Sequence, residues 1–388
     1  MKIRKAIAAV LAAAVLTCVS GCGAKNDTSS VASGGESDDT SVSGESKPSR
    51  DNEEINITSA ADMVKQMKIG WNLGNTLDAT GGSGLTAETS WGNPVTTKEM
   101  IDQVKEAGFN VLRVPVSWGT HLDDRYNIDA AWLDRVQEVV NYGIDNDMFV
   151  ILNTHHEEWY MPKQSDLDED LKQLEKLWTQ IAERFKGYGE KLLFEGVNEP
   201  RLRGEGAEWT GTADARDIVN KYAETFVRTV RATGGNNAER ALFVTPYAAS
   251  SMSANLKALK IPENAGNIIV SVHAYLPYDF ALNTKGTAFY EKDGSVDNLM
   301  KDIKSIFLDN NIPVVITEFG VINKGNAEGR VQCVEDYLTA AKKIGVPCVW
   351  WDNGAKSGSG ECFGLLNRKE GGWYFPEVTN KMREIIGE

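Results

Sequence analysis

The amino-acid sequence predicts an α/β fold, a single (β/α)8 TIM barrel, within residues 55–388 of the 388-residue chain. Eight short apolar runs suit buried parallel strands, and stretches with helical periodicity lie between them. Seven of the eight runs end in polar or charged residues, which is typical of the functional rim of such a barrel. Two features disfavour a doubly wound open sheet: there are eight apolar runs, and no glycine-rich phosphate loop follows the first run.

The predicted strands and helices alternate along the chain. The helices carry apolar residues three or four positions apart, which places those residues on one face. The predicted strands are residues 68–73, 111–116, 149–153, 192–197, 241–245, 267–273, 313–318 and 346–351. The apolar helix faces are formed by Ile101 and Val104; Leu133, Val136 and Val140; Ile218, Tyr222, Phe226 and Val230; and Leu299, Ile303, Ile306 and Phe307.

The first 22 residues resemble a bacterial lipoprotein signal peptide. Three basic residues within the first five positions precede an apolar run, residues 6–16, that is too short to span a bilayer as a helix. The sequence VSGC then ends at Cys22, as in a lipobox where the cysteine becomes the lipidated N-terminus. We therefore expect an exported protein, anchored to the membrane at the bacterial cell surface through lipid on Cys22. The alternative is ordinary signal-peptide cleavage nearby, with Cys22 incidental.

Residues 23–54 predict a disordered linker between this anchor and the barrel. The segment is rich in serine and glycine and carries eight acidic against three basic residues. Such a composition buries too little apolar area to offset the entropy of ordering the chain.

The net charge limits the possible binding partners, and the cysteines limit the possible disulfides and metal sites. A net charge of −14 without a basic tract argues against binding to nucleic acid, which depends on clustered lysine and arginine. After Cys22 only Cys333, Cys348 and Cys362 remain, an odd number with no metal-type spacing, so at least one is free or pairs between chains. Cys348 lies in an apolar run and is expected in the core.

Two glutamates end apolar runs and are the candidate catalytic pair. Glu199 follows LLFEGVN in the fourth run, and Glu318 ends VVITE in the seventh. The C-terminal ends of parallel barrel strands meet at one rim, so we expect the two carboxyl groups to lie close together. A proton donor beside an ionised carboxylate is what glycoside hydrolysis requires. The alternative is that each glutamate forms an ion pair with a nearby arginine or lysine.

These strand ends resemble family 5 of the glycoside hydrolases over essentially all of residues 55–388. Asn198-Glu199-Pro200 resembles the acid/base motif of that family, and Glu318 in ITEFG resembles its nucleophile. The sequences WNLGNTLD at 71–78, SWGNP at 90–94 and WWDNG at 350–354 are similar to those of the subfamily 4 endoglucanases. Other active-site positions of the family match Arg113, His155, Asn198, His273, Tyr275 and Trp351, and we expect substrate contacts at Asn75, Trp91, Asn93, His156, Trp350 and Asn353.

The resemblance implies a retaining mechanism with specific roles for these residues. Arg113 keeps Glu318 ionised, and Tyr275 can donate to Glu318 and hold its rotamer. The charge of Glu318 and partial burial are expected to raise the pKa of Glu199, so that it holds a proton. The amide of Asn198 can hydrogen-bond the sugar 2-hydroxyl.

No metal or other cofactor is expected. His155 and His156 superficially suggest a metal site, but adjacent residues on a strand point to opposite sides, and no HExxH spacing is present. His121 lies outside the motifs and is expected at the surface.

The ten tryptophans, all at or beyond Trp71, divide by their position in the predicted elements. Tryptophan offers a flat apolar surface to the CH face of a sugar ring. Trp132 and Trp178 lie in helical patterns and are expected in the core, whereas Trp71 and Trp118 could be either core or site. Strand-end or loop positions that could line a cleft are held by Trp91, Trp159, Trp209, Trp350, Trp351 and Trp373.

The sequence therefore predicts an endo-β-1,4-glucanase that cleaves cellulose-type or mixed-linkage glucans with retention of configuration. Two alternatives remain: the same mechanism acting on xyloglucan, xylan or mannan, and a surface glycan-binding lipoprotein without catalysis. We expect the protein to be a monomer whose partner is a β-glucan, with the membrane reached only through the lipid anchor.

Overall fold

The computed structural model describes residues 58–387, which form a closed barrel of eight parallel strands in sequence order. The last strand pairs with the first and closes the barrel. The predicted (β/α)8 fold is confirmed. The strands are β1 (Ile69–Leu73), β2 (Val111–Val114), β3 (Phe149–Asn153), β4 (Leu192–Glu195), β5 (Leu242–Val244), β6 (Ile268–His273), β7 (Val314–Phe319) and β8 (Cys348–Asp352).

The helices surround the barrel, and α5 is an example of how the sequence forms them. The side chain of Thr212 accepts from the backbone N–H of Ala215 and begins the helix, and the face predicted from the spacing is buried. The ten α-helices of the described residues are α1 (Ala60–Gln66), α2 (Lys98–Glu106), α3 (Ala130–Asp145), α4 (Leu167–Arg184), α5 (Ala213–Ala232), α6 (Ser253–Ala258), α7 (Tyr278–Ala281), α8 (Ser295–Ile306), α9 (Ala327–Lys343) and α10 (Pro376–Ile386).

Two apolar layers hold the barrel together. The larger one lies between the strands and the surrounding helices, as expected for parallel strands buried on both faces. The smaller one fills the barrel interior and includes α1, which closes the end where the strands begin. The backbone N–H of Ala60 donates to Asn267 Oδ1 at 3.0 Å, just before β6, and holds α1 there. The opposite end of the barrel is thus left for the strand-end residues.

The fourth strand is shorter than predicted and ends at Glu195 instead of Val197. A Cβ atom at Gly196 would lie 2.6 Å from Cδ1 of Phe226, so the chain passes directly under α5 at this point. The Asn198-Glu199-Pro200 segment therefore follows the strand directly, with Asn198 buried and Glu199 partly exposed.

His121 is buried, so the expectation of a surface position is wrong. Its ring stacks on Trp132, with centroids 3.7 Å apart and planes 5° apart. Burial lowers the pKa of His121 to about 4, although the charge of Asp129 acts in the opposite direction. The imidazole is therefore neutral at pH 7 and acts as a packing residue.

The remaining expectations concern the cysteines and the N-terminal segment. Cys333, Cys348 and Cys362 are all buried and free. The predicted signal peptide, the lipidation site Cys22 and the linker at 23–54 lie outside the described residues. Within residues 58–387, no helix combines the length and apolar character needed to cross a membrane.

Candidate active site

The ends of β4, β6 and β7 bring Glu199, His273 and Glu318 together. His273 Nδ1 lies 2.7 Å from Glu199 Oε1 and 3.5 Å from Glu318 Oε2. An oxygen of each carboxyl group and the ring nitrogen all lie within 4.8 Å of one another. The rim predicted from the strand ends therefore places two carboxyl groups side by side.

Glu318 is held from two sides. Arg113 Nη1 donates to Oε1 at 2.6 Å, and the Tyr275 hydroxyl donates to Oε2 at 2.7 Å. Burial, and then the charge of Glu318, hold the pKa of Tyr275 well above its usual value, so Tyr275 keeps its proton and remains a donor. With both oxygens fixed, Glu318 presents one defined carboxylate orientation to the cleft.

Arg113 is fully buried and connects four groups at the centre of the rim. Besides Glu318, its Nε donates to Glu195 Oε2 at 2.6 Å, and its Nη1 also donates to Asn72 Oδ1 at 3.0 Å. Its Nη2 donates to Asn198 Oδ1 at 2.8 Å. Because the oxygen of Asn198 is used in this way, its NH2 group is the part left to donate to a ligand.

Glu195 is a site residue that sequence reasoning missed. It is fully buried in β4, where Oε2 also accepts from Asn153 at 3.2 Å and Oε1 accepts from Ser271 at 2.6 Å. A buried carboxylate needs such partners to offset its loss of hydration. The sequence did show an acidic residue within the apolar run of the fourth strand. Its partner, Arg113, lies on another strand, so the sequence alone did not reveal the pairing.

The pKa of Glu199 is lowered, so the expectation that it is raised is wrong. Burial alone would raise it and is the largest single effect. The hydrogen bond with His273, the charge of that ring when protonated, the charge of Arg201 and the charge of His156 when protonated together outweigh burial. Arg201 Nη1 lies 3.0 Å from Glu199 Oε2 and was also missed. In the free site, Glu199 is thus stabilised as a carboxylate.

His155 and His156 lie side by side, so the expectation that they point to opposite sides is wrong. Their ring centroids are 4.4 Å apart, and nitrogens of both rings lie within 4.8 Å of Asp78, because β3 has already ended at Asn153. Asn153 Nδ2 donates to Nδ1 of His155, which places the ring proton on Nε2 and leaves no free lone pair on His155 for a metal. His155 stacks instead on Trp351, with centroids 5.5 Å apart.

Two groups within the described residues have the spacing of metal ligands: Asp78 with the two histidines, and Glu199, His273 and Glu318. In the second group, the hydrogen bond between His273 and Glu199 and the donors to Glu318 already use the oxygen and nitrogen atoms. These partners suit a carboxylate pair held by donors, and neither group offers a set of free ligands.

The model of the cellulase family, glycosyl hydrolase family 5, matches residues 77–357 of the chain. The chain belongs to glycosyl hydrolase family 5. The family predicted from the strand-end motifs is therefore confirmed.

Known relatives of this family 5 chain are similar over most of its length. Endoglucanase B of Ruminococcus albus is 58% identical over 337 residues, which are 86% of this chain and 82% of that protein. The structure of a GH5-4 broad specificity endoglucanase from Ruminococcus champanellensis with bound cellotriose is 48% identical, with a TM-score of 0.83 over 85% of this chain and 99% of that one. A xyloglucan-specific endo-β-1,4-glucanase from a metagenomic library, in complex with cellotriose, is 42% identical, with a TM-score of 0.81 over 83% and 98% of the two chains.

The asparagines expected to bind substrate in the family 5 cleft are used mainly to hold loops. Asn93 Nδ2 donates to the carbonyl oxygens of Asn75 and Asn353, at 2.8 and 3.1 Å. Asn353 is buried, and its side chain bonds the backbone of residues 355, 361 and 363. Asn75 is partly exposed at the same junction, where its backbone is left-handed. These polar atoms fix the loops after β1 and β8 to each other.

The expectation that Trp350 binds substrate is wrong. Its side chain is fully buried, and its indole N–H donates to the carbonyl oxygen of Phe363 at 3.0 Å. The next residue on β8, Trp351, points to the other side and stacks on His155 at the rim. Adjacent strand residues thus divide between the core and the cleft.

The other tryptophans also separate into groups. Trp91 and Trp209 are exposed, Trp91 with its ring 5.4 Å from His156 and Trp209 with the guanidinium of Arg201 4.7 Å from its ring centre. Trp373 stacks on Phe109 outside the cleft, so it does not line the site. Trp159 is half-buried and donates to Glu157, and the fully buried tryptophans include Trp71, Trp118, Trp132 and Trp178.

Proposed function

We propose that this protein is a retaining endo-β-1,4-glucanase that cleaves cellulose-type or mixed-linkage glucans, with Glu318 as nucleophile and Glu199 as acid/base. The separation of the two carboxyl groups carries the proposal, because oxygens of Glu199 and Glu318 lie within 4.8 Å of each other. Retaining glycosidases hold these groups about 5–5.5 Å apart, and inverting enzymes need about 6.5–9.5 Å to admit a water molecule.

In the first half-reaction, Glu318 attacks the anomeric carbon of the sugar. A bond forms between a carboxylate oxygen and that carbon, the bond to the leaving-sugar oxygen breaks, and the proton of Glu199 passes to that oxygen. A bound glucan replaces water around Glu199 and so favours its protonated form. Arg113 and Tyr275 hold Glu318 in position with hydrogen bonds of 2.6 and 2.7 Å.

In the second half-reaction, water attacks the same carbon. Glu199 accepts a proton from the water, the bond between the anomeric carbon and Glu318 breaks, and Glu318 regains its electron pair. The negative charge of Glu318 is absent from the covalent intermediate, which favours the ionised form of Glu199. The NH2 group of Asn198 is positioned by Arg113 to bind the sugar 2-hydroxyl during both steps.

The rim offers exposed aromatic surfaces on two different loops, Trp91 beside His156 and Trp209 beside Arg201. Trp91 is 42% exposed in the loop after β1, and Trp209 is 56% exposed in the loop after β4. Flat apolar rings of this kind suit the CH faces of successive glucose units. Two such platforms on separate loops support cleavage within a chain. A second candidate substrate is xyloglucan, supported by the likeness to the xyloglucan-specific structure.

A panel of polysaccharides tests the reaction and the substrate together. We expect reducing sugars from carboxymethylcellulose and barley glucan, and replacement of Glu199 or Glu318 by Ala should remove most turnover while glucan binding remains. Activity on xyloglucan, xylan or mannan alone would overturn the substrate assignment. Binding without any product would support the non-catalytic alternative, and an α anomer as the first product, seen by proton NMR, would overturn the retaining mechanism.

We further propose that the protein is a cell-surface lipoprotein that acts as a monomer. The basic start, the apolar run and the lipobox-like VSGC sequence support lipidation at Cys22. The full chain should appear in the membrane fraction and incorporate labelled fatty acid, and Cys22→Ala should release it. Sedimentation of the barrel domain should give the mass of one chain.

A further inference from the structure

Arg201 lies against the carboxyl group assigned above as the acid/base. Its Nη1 donates to Glu199 Oε2 at 3.0 Å, while His273 holds Glu199 Oε1 at 2.7 Å. Both oxygens of Glu199 are therefore bonded in the free site. Of these two partners, the arginine carries a permanent positive charge.

Arg201 is held in this position by the loop that follows β4. Its Nε donates to Glu208 Oε1 at 3.1 Å, and its guanidinium lies 4.7 Å from the ring centre of Trp209. Glu208 is itself fixed, because its Oε2 accepts from the backbone N–H of Gly204 at 3.0 Å. The cation is thus placed beside Glu199 by two contacts, to Glu208 and Trp209, before any substrate arrives.

Several other titratable groups surround Glu199, but none of them combines a permanent positive charge with a hydrogen bond to it within the described part of the chain. Arg203 lines the same cavity and donates to the carbonyl oxygen of Glu157 at 2.8 Å. The remaining neighbours lie on or after β3, β6, β7 and β8, or on the Arg201 loop: His155, His156, Glu157, Tyr160, Glu208, His273, Tyr275, Glu318 and Glu361.

We propose that Arg201 is a positioning residue that sets the balance between the carboxyl and carboxylate forms of Glu199, and thereby divides the rate between the two half-reactions. This inference rests on the proposed function. The positive charge stabilises the carboxylate, which is the form that takes a proton from water in the second half-reaction. The same charge opposes the carboxyl form, which must protonate the leaving sugar in the first.

The test is the pH profile of Arg201→Met on two aryl β-cellobiosides. For phenyl cellobioside, a poor leaving group, kcat/KM requires protonated Glu199 and falls at high pH. An opposite charge at this distance lowers a carboxyl pKa by about 1–3 units, so its removal should move this basic limb upward by about 1–3 pH units. For dinitrophenyl cellobioside, whose leaving group needs no proton, kcat/KM should keep its wild-type profile at high pH.

The rate of the second half-reaction provides an independent test of the role of Arg201. With the dinitrophenyl substrate the first step is fast, so kcat reports hydrolysis of the covalent intermediate and requires ionised Glu199. In Arg201→Met the acidic limb of this kcat profile should also move to higher pH. Loss of a merely structural contact would lower both rates without moving either limb.

Three variants serve as controls. Arg201→Lys keeps the charge and should restore both limbs close to their wild-type positions. Arg203→Met removes a neighbouring cation without a bond to Glu199 and should leave the limbs in place. Glu208→Gln removes the countercharge of Arg201 and should move the basic limb to lower pH, which tests the proposal even where Arg201→Met folds poorly.

Limbs of Arg201→Met that coincide with the wild-type limbs would overturn the role of Arg201. An equal movement in Arg203→Met would also overturn it, because the effect would then be one of general charge. These outcomes differ from failure of the proposed function, in which the wild-type protein hydrolyses neither cellobioside and no glucan.

Discussion

Replacement of Glu195 tests whether this buried residue holds Arg113, and through it the rim. Glu195→Gln keeps the shape of the side chain and removes its charge. Its amide oxygen can still accept from Arg113, and its NH2 group can donate to Ser271. The Ser271 hydroxyl can then donate to the hydroxyl of Thr317, which lies 2.5 Å away. Glu195→Ala removes the acceptors altogether and leaves a buried guanidinium with one fewer partner.

The magnitudes follow from the burial of both partners, whose side chains are 0% exposed. A hydrogen bond to a charged group contributes about 1.5–3 kcal/mol and a neutral one about 0.5–1.5 kcal/mol, so Glu195→Gln should cost about 1–2 kcal/mol of unfolding free energy. Removal of one partner from a buried ion pair costs about 3–5 kcal/mol, the loss expected for Glu195→Ala.

The assay is urea unfolding at pH 7 followed by tryptophan fluorescence, together with kcat on a cellobioside. Glu175→Ala is the matched control, because Glu175 pairs with Arg228 at 3.0 Å where both side chains are at least half exposed. Exposed pairs contribute about 0–1 kcal/mol. If Glu195→Ala costs no more than this surface control, Glu195 does not hold Arg113, and the account of the rim is wrong.

Three further outcomes are expected. Gly196→Ala should lower the unfolding free energy by about 1–3 kcal/mol, because the new Cβ would lie 2.6 Å from the ring of Phe226, whereas Gly206→Ala, with open space, should be nearly neutral by the same urea assay. His121 is buried in its neutral form with a pKa of about 4, so below pH 6.5 the unfolded chain binds more protons than the folded protein. The unfolding free energy should therefore fall by up to about 3 kcal/mol as the pH drops from 6.5 to 4. A His121→Phe variant should lose this part of the pH dependence of urea unfolding. Tyr275→Phe removes a donor to the proposed nucleophile and should lower kcat/KM by about 10–100-fold with little change in the melting temperature; an unchanged kcat/KM would contradict that contact.

Much of the site was predictable because barrel topology collects strand ends. Glu199, His273 and Glu318 each follow an apolar run, and parallel strands bring such positions to one rim whatever their separation in the chain. The sequence motif at each end was sufficient to place the residue at the rim, because the order of strands around the barrel is the order in the chain.

Two of the errors, those on the paired histidines and on Trp350, concern the direction in which a side chain points. His155 and His156 were expected on opposite faces, but β3 ends at Asn153, and strand alternation no longer applies beyond it. Trp350 and Trp351 lie within β8, where alternation holds, yet the residue types could not show which of the two faces the cleft. In both cases, a strand boundary or register that differs by one or two residues changes which side chain faces the cleft.

The sequence by itself determined the (β/α)8 barrel, the family and the pair of glutamates, because periodicity and strand-end chemistry are local properties of the chain. Only the tertiary structure decided the buried partnership of Glu195 with Arg113 and the lowered pKa of Glu199. These depend on contacts of about 3 Å between groups on different strands and loops, such as Arg201 and His273 around one carboxyl group. Electrostatic interaction energies vary steeply over such distances, and the packing of the whole barrel sets the distances.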